Sequence, residues 1–428
     1  MVENNNDFNI PSISNGDPPL EIIKYLFPGY NIDENDFDCN GDFIPLKNSF
    51  KKTGLIASIL EDWLDPAYEM YGDKFSLYRP NAYDELKKVI NCFNKKLGFA
   101  TFECPECHEL YYVSCTCKSR SCSSCGYKYK IKIVDNIMNK VYDVNHRQMV
   151  FTIPKELRII FFKHFKKAIN ILFEAVNLTI NSIINVKYKT CKGKIKKKKY
   201  INKLKKIPGF IAFLHTFGRD LKFNPHIHVL IAEMLLDKNG NQHKCNYFNY
   251  EALSRRFQKY LLDLLFDAGL ISKSDISKQY ANHQKGLYVY AEAKHFDSIK
   301  DGVEYIARYC SRLPISENRI IGYDGENVTF SYNAHEDDSY HEVTITALEF
   351  ITMLIRHIIP TQFKTIRYYG FYKKKYKNNE NIFNKLIKFV KENKSHLSHE
   401  NLIVKFFNRN PYYCPSCNKR LEFVIMVT

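Results

Sequence analysis

The segment Asn224-Pro225-His226-Ile227-His228-Val229-Leu230-Ile231 has the composition of a β-strand, since every residue after Pro225 except the two histidines is aliphatic. Side chains two apart in a strand share a face, so His226 and His228 project together while Ile227 and Val229 turn into a core. Two imidazoles on one face suit a divalent metal. Gly209 to Phe217 reads as the preceding strand, with Gly218 to Asn224 as the turn and Pro225 to Ala232 as the returning partner. That hairpin puts the histidine pair on a central strand of an antiparallel sheet. Arg147 to Pro154 alternates as a further strand, and Gly286 to Glu292 as another.

Further along, Gly302-Val303-Glu304-Tyr305-Ile306-Ala307-Arg308-Tyr309-Cys310-Ser311-Arg312-Leu313 reads as a helix that stops near Pro314. Tyr305 and Tyr309 are four apart and share one face of it.

A His-hydrophobic-His strand followed by a Tyr-x-x-x-Tyr helix resembles the two-tyrosine HUH endonucleases. The wording is most similar to the rolling-circle transposases of bacterial insertion sequences, which are related to the Helitrons. Leu214-His215-Thr216-Phe217-Gly218-Arg219-Asp220-Leu221 resembles that family, as do Pro314-Ile315-Ser316 after the tyrosine helix and Ile366-Arg367-Tyr368-Tyr369-Gly370-Phe371 beyond it. The cysteine-rich segment before residue 126 matches in type and position. The likeness covers roughly residues 100–420. It implies an α+β fold, in which an HUH domain with a central antiparallel sheet flanked by helices follows a helical region and a small zinc-binding module.

The resemblance implies a metal-dependent tyrosine DNA endonuclease and strand transferase, with Tyr305 and Tyr309 as nucleophiles. A phenolate that attacks phosphorus keeps the bond energy in a phosphotyrosine link and frees a 3′ hydroxyl. Mg2+ or Mn2+ on His226 and His228 would polarise a non-bridging oxygen of the scissile phosphate. Two imidazoles do not complete a site, and a third protein ligand is expected. The partner is DNA, single-stranded or locally melted, at insertion-sequence ends and target. Two other readings stay open: a rolling-circle replication initiator with the same chemistry, and a non-catalytic zinc-dependent DNA-binding regulator.

Composition is consistent with this. The chain of 428 residues carries 63 basic against 46 acidic residues, a net charge of +17, which favours a polyanionic partner. Its 30 tyrosines and 31 phenylalanines offer stacking surfaces for unpaired bases. No apolar run reaches the roughly 18 residues that would cross a bilayer, and the Asn- and Asp-rich start carries no signal-peptide pattern. A cytoplasmic, nucleoid-associated protein with no membrane partner is expected.

Thirteen cysteines in a cytosolic chain point to metal rather than disulfides. Cys104-x2-Cys107 and Cys122-x2-Cys125 lie 14 residues apart. Each is a knuckle that brings two thiolates to the separation of about 3.7 Å required by tetrahedral Zn2+. Together they give four ligands and a closed, structural zinc site that would hold a basic, DNA-reading surface. Cys117 matches a cysteine of the family and is an alternative to one of the four. Cys39, Cys92, Cys191, Cys245 and Cys310 read as buried thiols. The knuckle Cys414-Pro415-Ser416-Cys417 supplies only two ligands. The expected organisation is a disordered tail over 1–18, a helical region over 19–100, the zinc module over 101–130, the HUH domain over 145–375 and a C-terminal segment over 376–428. Helices are expected near Leu20, over Ala82–Leu97, from Tyr129 to Val144 and from Lys155 to about Lys187, and the basic run from Lys187 to Lys206 reads as a solvated loop or a phosphate-tracking arm.

Overall fold

The computed structural model describes residues 54–93, 97–185, 206–237, 239–245, 248–290, 300, 302–304, 313–334, 338–373, 398, 400–401, 404, 410 and 412–427. Its helices are α1 (Leu55–Tyr78), α2 (Ala82–Ile90), α3 (Ser123–Met138), α4 (Arg158–Lys163), α5 (Phe165–Ile184), α6 (Tyr250–Asp267), α7 (Lys273–Asn282) and α8 (Ala347–His357). The strands are β1 (Phe99–Glu103), β2 (Leu110–Ser114), β3 (His146–Thr152), β4 (Lys206–Phe217), β5 (Phe223–Asp237), β6 (Gln242–Lys244), β7 (Val289–Tyr290), β8 (Ile320–Tyr323), β9 (Asn327–Asn333), β10 (Tyr340–Thr346), β11 (Ile366–Gly370) and β12 (Glu422–Val427).

The central sheet runs β11-β4-β5-β3-β7, with β6 added to β5, and every pairing is antiparallel. Its strands are apolar on both faces, and the alternation sorts them. Phe210, Ala212, Leu214, Ile227, Val229 and Ile231 pack with α5 and α6 in the largest core. Ile211, Phe213, Leu230, Ala232 and Met234 turn the other way, onto Ile133, Val134 and Ile137 of α3. This is the expected α+β arrangement.

A second core joins α1 and α2 to the meander β8-β9-β10 and to α8. The first turn of α1 has no side-chain cap of its own, and the Glu317 carboxylate accepts from the Ile56 N–H at 3.2 Å instead. Just after α1, the Arg79 guanidinium is 1% exposed. It donates to the carbonyls of Tyr78, Phe162 and Arg356 and lies over the rings of Phe162 and Phe165. Burial lowers its pKa to about 10, so it stays protonated at neutral pH. One cation thereby ties the end of α1, the end of α4 and the last turn of α8.

Element boundaries differ from expectation where a tertiary demand intervenes. The helix expected over Ala82–Leu97 stops at Ile90, and the chain turns through a left-handed Phe93 that leaves Cys92 facing other cysteines. The helix expected from Tyr129 to Val144 begins at Ser123, directly after a knuckle cysteine, and ends at Met138. The stretch expected as one helix from Lys155 to Lys187 breaks at His164 into α4 and α5. The expected helix near Leu20, most of the basic run, and Tyr305 and Tyr309 lie outside the described residues. Among the described residues no helix is long and apolar enough to cross a membrane.

Candidate active site and metal centres

The hairpin register brings a third imidazole to the expected pair. His215 of β4 lies opposite His226 of β5, and Phe213 opposite His228. One ring nitrogen from each of His215, His226 and His228 lies within 4.8 Å of the other two. Ring centroids are 4.1 Å apart for His215 and His228, and 5.0 Å for His226 and His228. His215 and His228 are buried, and His226 is half-buried at the mouth of the group. His226 Nδ1 donates to the Asn224 carbonyl at 2.7 Å, which makes Nε2 the unprotonated nitrogen of the neutral ring. His228 Nδ1 lies 2.9 Å from the Gln148 side-chain amide. Burial, and then the charge of His226, hold His228 well below the ordinary histidine pKa, in the neutral form that ligates.

His215 completes the imidazole group, and its sequence neighbourhood alone did not assign it. Its signal was the hairpin register, and that is disguised by a bulge between His215 and Phe217 and by the left-handed Leu221 in the turn.

The cysteines group differently from expectation. Cys104, Cys107, Cys122 and Cys125 do not meet at one point. Cys122 and Cys125 join Cys92 and Cys117, and Cys104 and Cys107 join Cys414 and Cys417. Sulfur separations are 3.7 Å for Cys92–Cys125, 3.6 Å for Cys117–Cys125 and 3.7 Å for Cys107–Cys414. An Sγ–Sγ edge of about 3.7 Å follows from four thiolates about 2.3 Å from a tetrahedral Zn2+. So Cys117 stands with Cys122 and Cys125, as the alternative allowed, and together with Cys92 takes the places expected for Cys104 and Cys107. Cys92 is not an isolated buried thiol but the fourth member of that group. Both donor sets suit structural zinc.

The histidine-bearing face also receives the helical residues that precede Tyr305 in the sequence. Residues Gly302 to Glu304 are helical. Val303 is fully buried with Phe213 and Leu230, which share the face of His215 and His228. A cleft of about 420 Å3 opens where the cysteine module meets the large domain. Lys118 and Arg120 line it from the module, Asn81 and Glu85 from the N-terminal helices, and Thr216 and His357 from the sheet and α8.

Comparison with known proteins fits this geometry. Residues 64–153 match the model described as "Transposase zinc-binding domain", which spans Cys92, Cys117, Cys122 and Cys125. Residues 209–380 match the model described as "Putative transposase", which spans all three histidines and both tyrosines. The chain is a DNA transposase, similar in both regions to those of the IS91 family. This transposase is 26% identical over 344 residues to the "Transposase for insertion sequence element IS801" of Pseudomonas savastanoi pv. phaseolicola, with 76% of each chain covered. It is 22% identical over 379 residues to the "Putative transposase y4qJ" of Sinorhizobium fredii, covering 82% of this chain and 92% of the other. No solved structure matches the transposase.

Proposed function

We propose that the transposase nicks and rejoins single-stranded DNA through a covalent 5′-phosphotyrosine at Tyr305 or Tyr309, in rolling-circle transposition. The observation that carries this reading is the cluster of His215, His226 and His228, half-open at His226, on the face where Val303 is buried two residues before Tyr305. Three imidazoles converging on one point are a cation site. Their nitrogens favour Mn2+ over Mg2+, which seeks oxygen. When bound, the cation would draw charge from a non-bridging oxygen of the scissile phosphate.

The protein's own groups supply the rest. Asn224 and Gln148 fix two of the rings, so the histidines hold their geometry before the strand arrives. The phenol oxygen of one tyrosine forms a bond to phosphorus, and the bond from phosphorus to the 3′ oxygen breaks, giving a 3′ hydroxyl. Attack by another strand's 3′ hydroxyl then restores a phosphodiester and releases the phenol. Two tyrosines allow two such links to coexist or alternate. A duplex would hold its phosphates away from a site that needs His226 and a phenol on one phosphorus together, so the substrate is unpaired DNA. Lys118 and Arg120 at the cleft supply charge for its backbone.

The test is incubation of the full chain with 5′-labelled and 3′-labelled single-stranded element ends and Mn2+, followed by a denaturing gel. A protein–DNA adduct carrying the 3′ part of the cut strand is expected. The adduct should vanish in Tyr305→Phe/Tyr309→Phe and in His226→Ala. Binding without any adduct would favour the regulator reading, and an adduct that survives the double tyrosine change would reject those nucleophiles.

A further inference from the structure

The C-terminal knuckle lies outside both matched regions, yet it meets the N-terminal module. We propose that Cys104, Cys107, Cys414 and Cys417 bind a zinc ion of their own, so that the chain holds two structural zincs, and that this one clasps the C-terminal strand to the module. The argument rests first on a repeated local design. Cys104-Pro105-Glu106-Cys107-His108-Glu109 and Cys414-Pro415-Ser416-Cys417-Asn418-Lys419 share the pattern Cys-Pro-x-Cys. In each, the first cysteine's N–H donates to the carbonyl five residues on, Glu109 or Lys419. In each, the residue after the second cysteine donates back to the first cysteine's carbonyl. That residue is left-handed in both, with φ 57° at His108 and 52° at Asn418. Two such turns facing each other form a four-thiolate cage, with Cys104 and Cys414 buried at 0% and 1% exposure.

The second argument is energetic. These knuckles sit on a sheet of three short strands, β12-β1-β2, with β12 antiparallel to β1. The cluster beneath the knuckles is Cys104, Cys414 and Leu421, with Phe102 and Tyr111 partly buried beside them, and Leu110 and Tyr112 of β2 are also buried. A three-stranded sheet with so little apolar burial does not hold together in water unaided. Among the described residues of that cluster, the four sulfurs are the groups placed to supply the missing stability, since metal binding at such a cage is folding free energy. The Tyr111 hydroxyl donates to the Glu109 carboxylate and lies 3.2 Å from Cys414 Sγ, in the position of an outer partner of a metal ligand.

The experiment is metal counting by elemental mass spectrometry on the full chain, which does not depend on nicking activity. Two zincs per chain are expected in the unaltered protein. One is expected in Cys414→Ser/Cys417→Ser, one in Cys104→Ser/Cys107→Ser, and still one when all four are changed. Adding Cys122→Ser/Cys125→Ser to the C-terminal pair should leave none. A single zinc that is lost with Cys104 or Cys122 and unaffected by Cys414→Ser/Cys417→Ser would overturn the proposal. The unaltered protein gives the same decision if a variant fails to fold. Thiols are alkylated in rising chelator and mapped by peptide mass. Cys104, Cys107, Cys414 and Cys417 should become reactive in one step. Cys414 and Cys417 reacting before any chelator is added would refute the shared site.

Discussion

Gln148 shows how a side chain with no chemistry of its own sets the ligand next to it. Its amide lies 2.9 Å from His228 Nδ1. The Gln148 Nε2–H donates to Nδ1 and so fixes the plane of the ring. Gln148→Leu removes that donor from a buried position and lets the ring turn away from its ligating pose. Mn2+ affinity should fall by about 10–100-fold, with nicking restored at saturating Mn2+; a titration of adduct yield against Mn2+ reads both. Histidine also makes the fold acid-sensitive. His357 is buried between Thr216 and the Leu221 carbonyl, and burial lowers its pKa from 6.5 to about 4. The folded chain therefore takes up this proton less readily than the unfolded one. The contribution is fully present above pH 6.5 and is lost as pH falls from there towards 4, by about 3 kcal/mol for one group. Urea denaturation at pH 7.5 and pH 5.0 should show a smaller loss in His357→Gln than in the unaltered protein. Equal losses would clear His357 of the role. His226 and His228 were legible because a strand repeats every two residues. His215 was not, because its place depends on one extra residue in a turn.

At the level of elements, the motif Tyr369-Gly370-Phe371 marks where β11 crosses β4. Gly370 has φ 57°, and a Cβ on it would lie 1.5 Å from the Pro208 carbonyl oxygen, which is backbone that cannot turn aside. Tyr369 stacks flat on Phe210 at 4.7 Å, and the Phe371 N–H donates to Pro208, so the strand is pinned on both sides of the glycine. Gly370→Ala must break one of these contacts and should cost about 3 kcal/mol or more. Gly269→Ala is the control. It also has a left-handed φ, 69°, but nothing lies within 4 Å of the added carbon, so only the conformational cost of about 1 kcal/mol applies. Comparable denaturation midpoints for the two variants would show that the crossing is not tight. Most strands and helices were visible in the alternation of apolar residues. Boundaries were less so, because α2 stops early to free Cys92 and α3 starts early from Cys122, and both ends answer to sulfur rather than to periodicity.

Over the whole molecule, the hidden information was pairing between distant segments. Cys107 and Cys414 are 307 residues apart, and each knuckle alone has the same spacing as any other, so local pattern could not say which two belong together. The same distance in sequence conceals the cleft, which needs the cysteine module, the N-terminal helices and the central sheet at once. Its position suggests a path for the unpaired strand. Thr216, in its lining, adjoins His215 in β4, while Lys118 follows Cys117 and Arg120 lies over the Tyr129 ring, so sulfur and ring contacts hold both cations at the rim. A net charge of +17 attracts any polyanion, but only cations touching phosphates contribute to the salt slope. If both do so, Lys118→Ala/Arg120→Ala removes two contacts. The slope of log affinity against log salt for single strands should then become shallower by about 1.4, and affinity should fall alike for all sequences, since phosphate contacts carry no base information. Fluorescence anisotropy of a labelled oligonucleotide between low and moderate salt measures both, on protein checked to retain its zinc. An unchanged slope would mean that the strand reaches the histidines by another route. A loss confined to one sequence would mean that the two residues read bases instead of positioning the backbone.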